Sequence, residues 1–137
     1  MSRNSSYFKG ERFNALAKKE GFRSRAAYKL IQIQKDFKLI KSGDNILDLG
    51  SAPGGWSQVA SNILSGSGSI IAIDLLPMKK ITNVDFHQLD LNDIDKINLR
   101  EISIVLSDIA PNISGVNIID DENMICLLYT SDAADEQ

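Results

Sequence analysis

Apolar positions along the 137-residue chain change their spacing near residue 42. Before that point they recur every three or four residues. Phe13, Leu16 and Ala17 predict a helix over 11–20 that Gly21 ends. Ala26, Leu30, Ile33 and Phe37 predict a second helix with one apolar face, for which Ser24 offers an N-cap. Arg25 and Lys29 fall on a different face of it, and "KSGDN" (41–45) reads as a turn.

Beyond residue 42 the apolar residues gather into short runs, most of them ending on an acid. "ILDLG" (46–50), "IIAID" (70–74), "VDFHQLD" (84–90) and "ISIVLSD" (102–108) read as four strands. A helix over 55–64, the loop "SGSGS" (65–69), the linker "LLPMKKI" and a short helical turn in "LNDIDKINL" connect them. Strands alternating with helical connections predict an α/β fold with a doubly wound, mostly parallel sheet and right-handed crossovers.

Charge divides the chain at the same point. Residues 1–41 hold eleven Lys/Arg against three Asp/Glu, and 42–137 hold four against fifteen, so balances of +8 and −11 hide behind a net −3. The expected organisation is a basic helical arm (1–41) on an acidic domain, with a polyanion as partner of the arm. A solvated lysine-rich helix surface is the plainer account of the same charges. With 43% hydrophobic residues the chain can build a core. Its only cysteine, Cys126, permits no intrachain disulfide, and one cysteine with one histidine (His87, expected to pack or sit at the surface) makes no zinc site. Without a signal peptide or a membrane-length apolar run, a cytoplasmic monomer with neither metal nor membrane partner is expected.

The candidate chemistry lies at the carboxyl ends of the strands, where open parallel sheets hold ligands. Those ends carry Gly50 to Gly55, Asp74, Asp90 and Asp108. Glycines let a ligand approach bare backbone. Asp74 stands about where an acid grips a nucleoside ribose, and Asp90 could accept from an adenine amino group. Each acid alone reads as a helix cap or a solvated loop carboxylate; three at successive strand ends point to a site. The turn lacks both G-x-G-x-x-G and the phosphate-loop pattern, which argues against a nicotinamide-dependent oxidoreductase. An acid two residues before the first glycine favours a ligand with a cationic or zwitterionic group, and S-adenosylmethionine fits.

"RSRAAYKL", "LDLGSAPGGWSQ", "IIAIDLLPM", "VDFHQLD" and "SDIAPNISG" occur in that order. Together they resemble the FtsJ/RrmJ-type ribosomal RNA large subunit (uridine-2′-O-) methyltransferase family over about Phe22 to Asp120. The resemblance implies a Rossmann-like class I methyltransferase fold, S-adenosylmethionine as cofactor, and ribosomal RNA or the large ribosomal subunit as partner. Gly54, Trp56, Asp74, Asp90 and Asp108 match the family's cofactor positions. Lys29 and Asp108 match two members of its Lys-Asp-Lys-Glu catalytic set. Arg23, Arg25 and Lys29 match RNA-binding positions. Transfer RNA and messenger caps are alternative substrates within the wider group.

The family's second lysine, its base, and its glutamate lie beyond "SDIAPN", whereas this chain has no Lys or Arg after Arg100. The expectation is therefore a cofactor-binding part (42–125) lacking the last strands of its sheet, with strand 102–108 left as an exposed, aggregation-prone edge. The tail "CLLYTSDAADEQ" (126–137) matches nothing in the family pattern and is expected to be foreign to it. As written the chain would then bind cofactor and RNA without turnover.

Overall fold

A computed structural model describes residues 16–99, 101–107, 116–121 and 124–129. Residues 16–19 are helical and close near Gly21, as the sequence predicts for the end of the first helix. Helix α1 is Ala26–Phe37 and helix α2 is Gly55–Leu64. Strands β1 (Asn45–Leu49), β2 (Ser69–Asp74), β3 (Val84–Gln88), β4 (Ile104–Ser107), β5 (Val116–Asp121) and β6 (Met124–Tyr129) form one sheet. A 3-10 helix, Leu91–Lys96, follows β3.

The strand order is β3-β2-β1-β4-β6-β5, with every neighbouring pair parallel except β5 with β6. The chain walks outward from β1 to β3 and returns to the other side of β1 at β4. The strand order reverses there, and α/β sheets open their ligand crevice at such a point.

Alternation along the strands distributes side chains to two faces. Ile46, Ile70, Ile104 and Leu106 meet α1 and α2 through Ala27, Leu30, Ile33, Trp56, Val59 and Ala60. Leu47, Ile71 and Ile73 face the other way, under Leu91, Ile94, Ile97 and Ile102 of the segment around the 3-10 helix. Strands covered on both faces read as near-continuous apolar runs, which is why "SIIAID" and "ISIVLS" show so little polar alternation. Burying a side chain such as Leu30 or Leu106 contributes about 2 kcal/mol each.

Three expectations need correction. Strand β4 is not an edge: β6 pairs with it from Ile104 opposite Ile125 to Ser107 opposite Leu128, and the edges are β3 and β5. The buried face of α1 is Ala27, Leu30 and Ile33, with Ala26 only partly covered and Phe37 61% exposed. Lys38 turns left-handed (φ 48°) and sends Leu39 and Ile40 inward instead, while the Gln34 amide clamps both backbone groups of Ile40. Ser24 is not the cap of α1: Arg25 occupies that position without a side-chain bond, and the Ser24 hydroxyl lies against Gly55.

Candidate functional site

The turn after β1 is shaped by backbone constraints that begin at Gly50. Its φ of 71° reverses the chain, and the N–H groups of Gly50 and Ser51 donate to the Ile73 carbonyl at 2.8 and 3.1 Å. The β1 turn is thereby tied to the end of β2. Asp74 adds a second tie: its Oδ2 accepts from the Ala52 N–H at 2.8 Å, and its Oδ1 from the Leu76 N–H at 2.9 Å. A carboxylate offers about four acceptor directions, so capacity for two hydroxyls remains after these two bonds. Asp74 is half-buried, and exposed Leu75 and Leu76 follow it.

Asp90 lies beside this pair. β2 and β3 run in register to Asp74 opposite Gln88, the Leu89 N–H donates to the Asp74 carbonyl at 3.0 Å, and Asp90 is the next residue. Its Oδ1 caps the 3-10 helix through the Asn92 N–H at 2.9 Å. The helix-cap reading is thus realised with one oxygen. Asp108, the third acid, lies outside the described residues. Its predecessor Ser107 ends β4 directly opposite Leu49, one residue from Gly50.

Gly54 and Gly55 do something other than expose backbone. Gly54 sits at φ 114°, and a Cβ there would come within 2.8 Å of Ile81 Cδ1, 3.0 Å of Met78 Sδ and 3.1 Å of Arg23 Cδ. The room made at Gly54 is filled by protein. No side chain caps α2 at Gly54. The positive end of that helix's dipole lies at the mouth of the turn.

The Trp56 ring points elsewhere. It is buried at 4% exposure in the core, and its Nε1 donates to the Ala26 carbonyl at 2.9 Å. This bond pins the first turn of α1 to the first turn of α2. Lys29, half-buried, stands one turn further along α1, and Arg25 is its N-cap. Arg23 is occupied: Nη1 donates to the carbonyls of Pro53 (3.2 Å) and Lys79 (2.5 Å), and Nη2 to that of Lys80 (2.7 Å).

One acid turns out to serve the fold where the sequence had given it to a ligand, and one serine escaped the sequence reading. Asp48, the acid two residues before the first glycine that had favoured a cationic or zwitterionic ligand, is instead 2% exposed on the helix-covered face and accepts from Ser57 Oγ at 2.6 Å. It braces the start of α2 from below, where the helix dipole favours a negative charge. Ser51 is 6% exposed, and its Oγ has no hydrogen-bond partner among the described residues. Buried hydroxyls are almost always bonded, so an orphan in a ligand turn marks a place for a ligand atom. In sequence, a serine between glycine and Ala-Pro reads only as a turn former.

Near Lys29, Tyr28 packs edge-on against Phe22 (centroids 5.4 Å apart), and its hydroxyl donates to the Glu20 carboxylate. Partial burial first, then that hydrogen bond and the carboxylate's charge, push the phenol up to about 12. Among the described residues no cluster of three or more metal-ligating side chains occurs, and no helix is long and apolar enough to cross a membrane.

The FtsJ-like methyltransferase family matches residues 22–132 of this chain, past the 120 at which the sequence resemblance ends. Proteins named ribosomal RNA large subunit methyltransferase E are similar. That of Coxiella burnetii (strain Dugway 5J108-111) is 46% identical over 123 residues, covering 82% of this chain and 58% of its own length. That of Psychrobacter sp. (strain PRwf-1) is 46% identical over 119 residues, covering 82% and 57%. The chain thus spans less than two thirds of these relatives. Among solved structures, a Plasmodium falciparum protein described as a ribosomal RNA methyltransferase superposes with a TM-score of 0.56 at 33% identity, covering 73% of this chain and 60% of its own. A Lactococcus lactis protein described as a hemolysin reaches 0.55 at 24% identity, covering 68% and 48%, a likeness of fold alone.

Proposed function

This chain belongs to the FtsJ-like methyltransferase family, and on that premise we propose that the protein moves a methyl group from S-adenosylmethionine to the ribose 2′-hydroxyl of a uridine in large-subunit ribosomal RNA. The observation that carries the reading is the buried Ser51 hydroxyl, without a partner among the described residues, beside the spare acceptor capacity of Asp74. The residues fit the donor. Asp74 suits the ribose hydroxyls, Asp90 the adenine amino group through its second oxygen, and the backbone of Gly54 and Gly55 at the start of α2 the carboxylate of the amino-acid end. The names of the relatives support the substrate class.

When bound, S-adenosylmethionine supplies a methyl group already activated by positive sulfur. What remains for the protein is to hold a 2′-hydroxyl in line and to help its proton leave. Lys29 is proposed to position that hydroxyl and Asp108 to orient the base. Arg25, with the basic residues upstream, would hold RNA phosphates. No lysine or arginine follows Arg100 in this sequence. We propose the corresponding organisation, a basic arm over 1–41 and a cofactor-binding part over 42–125.

Calorimetry of the purified chain with S-adenosylmethionine, NAD and ATP tests the donor site. Binding of the first alone is expected. Absence of binding, or preference for NAD, overturns it. Labelled methyl incorporation into ribosomal RNA, by this chain beside a full-length relative, tests turnover.

A further inference from the structure

We infer that Arg23 is a positioning residue of the methyl-donor site, a latch that fixes the turn after β1 against the loop after β2. The inference rests on the donor reading above, and it gives Arg23 a different role from a phosphate contact. The three carbonyls that its guanidinium holds come from two segments. Pro53 belongs to the glycine turn, and Lys79 and Lys80 belong to the loop that leaves Asp74. Asp74 crosses the same gap from its inner end, through the Ala52 N–H. The two loops are thus closed at one end by a carboxylate and at the other by a guanidinium.

The backbone around Arg23 is held just as firmly. Its N–H donates to Gln58 Oε1 at 3.0 Å, and Gln58 Nε2 returns a bond to the Gly21 carbonyl at 2.9 Å. Gln58 lies on α2, so the arm is anchored to the helix whose N-terminus faces the donor. Gly54 completes the fit, since its missing side chain leaves the space that Arg23 Cδ, Met78 and Ile81 occupy. Only a planar fork with several fixed N–H directions spans three carbonyls; an ammonium on a flexible stem does not reproduce it. A phosphate at Arg23 would have to compete with those carbonyls for the remaining donors.

The test compares Arg23→Lys, Gln58→Ala and Arg25→Ala with the unaltered chain. Each is titrated with S-adenosylmethionine by calorimetry and with a ribosomal RNA hairpin across a salt series, and amide hydrogen exchange is followed over 75–81. Arg23→Lys keeps the charge, so it preserves any phosphate attraction while removing the fork. It is expected to weaken donor binding about tenfold, the loss of roughly one charge-assisted bond, to speed exchange over 75–81, and to leave the salt slope unchanged. Gln58→Ala moves donor affinity and exchange the same way, by less. Arg25→Ala is expected to lower the salt slope by about one and spare the donor. Donor affinity within twofold of the unaltered chain in both Arg23→Lys and Gln58→Ala overturns the latch. If the unaltered chain binds no donor, the functional reading falls, and faster exchange over 75–81 in Arg23→Lys alone still upholds the latch, while unchanged exchange removes it.

Discussion

The two ends of the sheet handle their polar groups in opposite ways. At the amino end the strands begin in a closed network. Ser69 Oγ donates to Asn45 Oδ1, Asn45 Nδ2 to the Glu101 carbonyl, and Ser103 Oγ to Asp44 Oδ1, while the Asn45 N–H returns to Ser103. Asp44 Oδ2 also accepts from the Lys41 N–H and closes the turn before β1. Side chains and backbone satisfy one another there. At the carboxyl end, Asp74 and Asp90 spend only part of their capacity, and Ser51 Oγ is buried with no partner among the described residues. Folding alone rewards the first arrangement, because an unmade bond at a buried group costs about 1–3 kcal/mol. An end that keeps such groups open is shaped for something other than its own stability.

Substitutions should separate the two ends. The largest effect is expected from Gly54→Ala, which places a side chain at φ 114° against Ile81, Met78 and Arg23. Stability should fall by about 3 kcal/mol in urea unfolding, and donor binding should be lost with it. Asn45→Ala at the amino end removes two side-chain bonds. It should lower stability by about 1–2 kcal/mol and leave the donor affinity of the folded chain unchanged. Ser51→Ala should do the reverse. Stability stays within about 0.5 kcal/mol of the parent or rises, while calorimetry shows donor affinity about fivefold weaker, near one neutral hydrogen bond. A Ser51→Ala chain that is less stable yet binds normally would make that end ordinary.

The smallest effect concerns the arm. Tyr28 titrates at about 12 in the folded chain, against 10.0 ordinarily. Between these values the folded form keeps a proton that the unfolded form releases. The contribution is therefore complete below pH 10 and lost as pH rises through 12. Absorbance titration should show one tyrosinate appearing late, and Tyr28→Phe should remove it together with the extra fall in stability above pH 10.

Much of this was legible in sequence for identifiable reasons. Strands buried on both faces are apolar runs, so Ile70 to Ile73 and Ile104 to Leu106 announced themselves. Helix 55–64 was bounded correctly by glycine and serine at its two ends. Strand order made the carboxyl ends of β1 and β2 neighbours, which brought Gly50 to Ala52, Asp74 and Asp90 together as their positions in the chain implied. Phe37 misled because it continued the spacing of α1, whereas a left-handed Lys38 had already turned the chain.

What the sequence alone determined is the alternation of strands and helices, the polarity of the arm, and the set of strand-end residues, since each depends on local spacing and residue type. Tertiary structure alone decided how those residues spend their bonds. Arg23 meets carbonyls 30, 56 and 57 residues away, and Trp56 reaches back 30 residues to Ala26. Whether an arginine holds loops or phosphates, and whether a serine hydroxyl is satisfied or left open, depends on which distant backbone groups the fold sets around it. No periodicity in the chain carries that information.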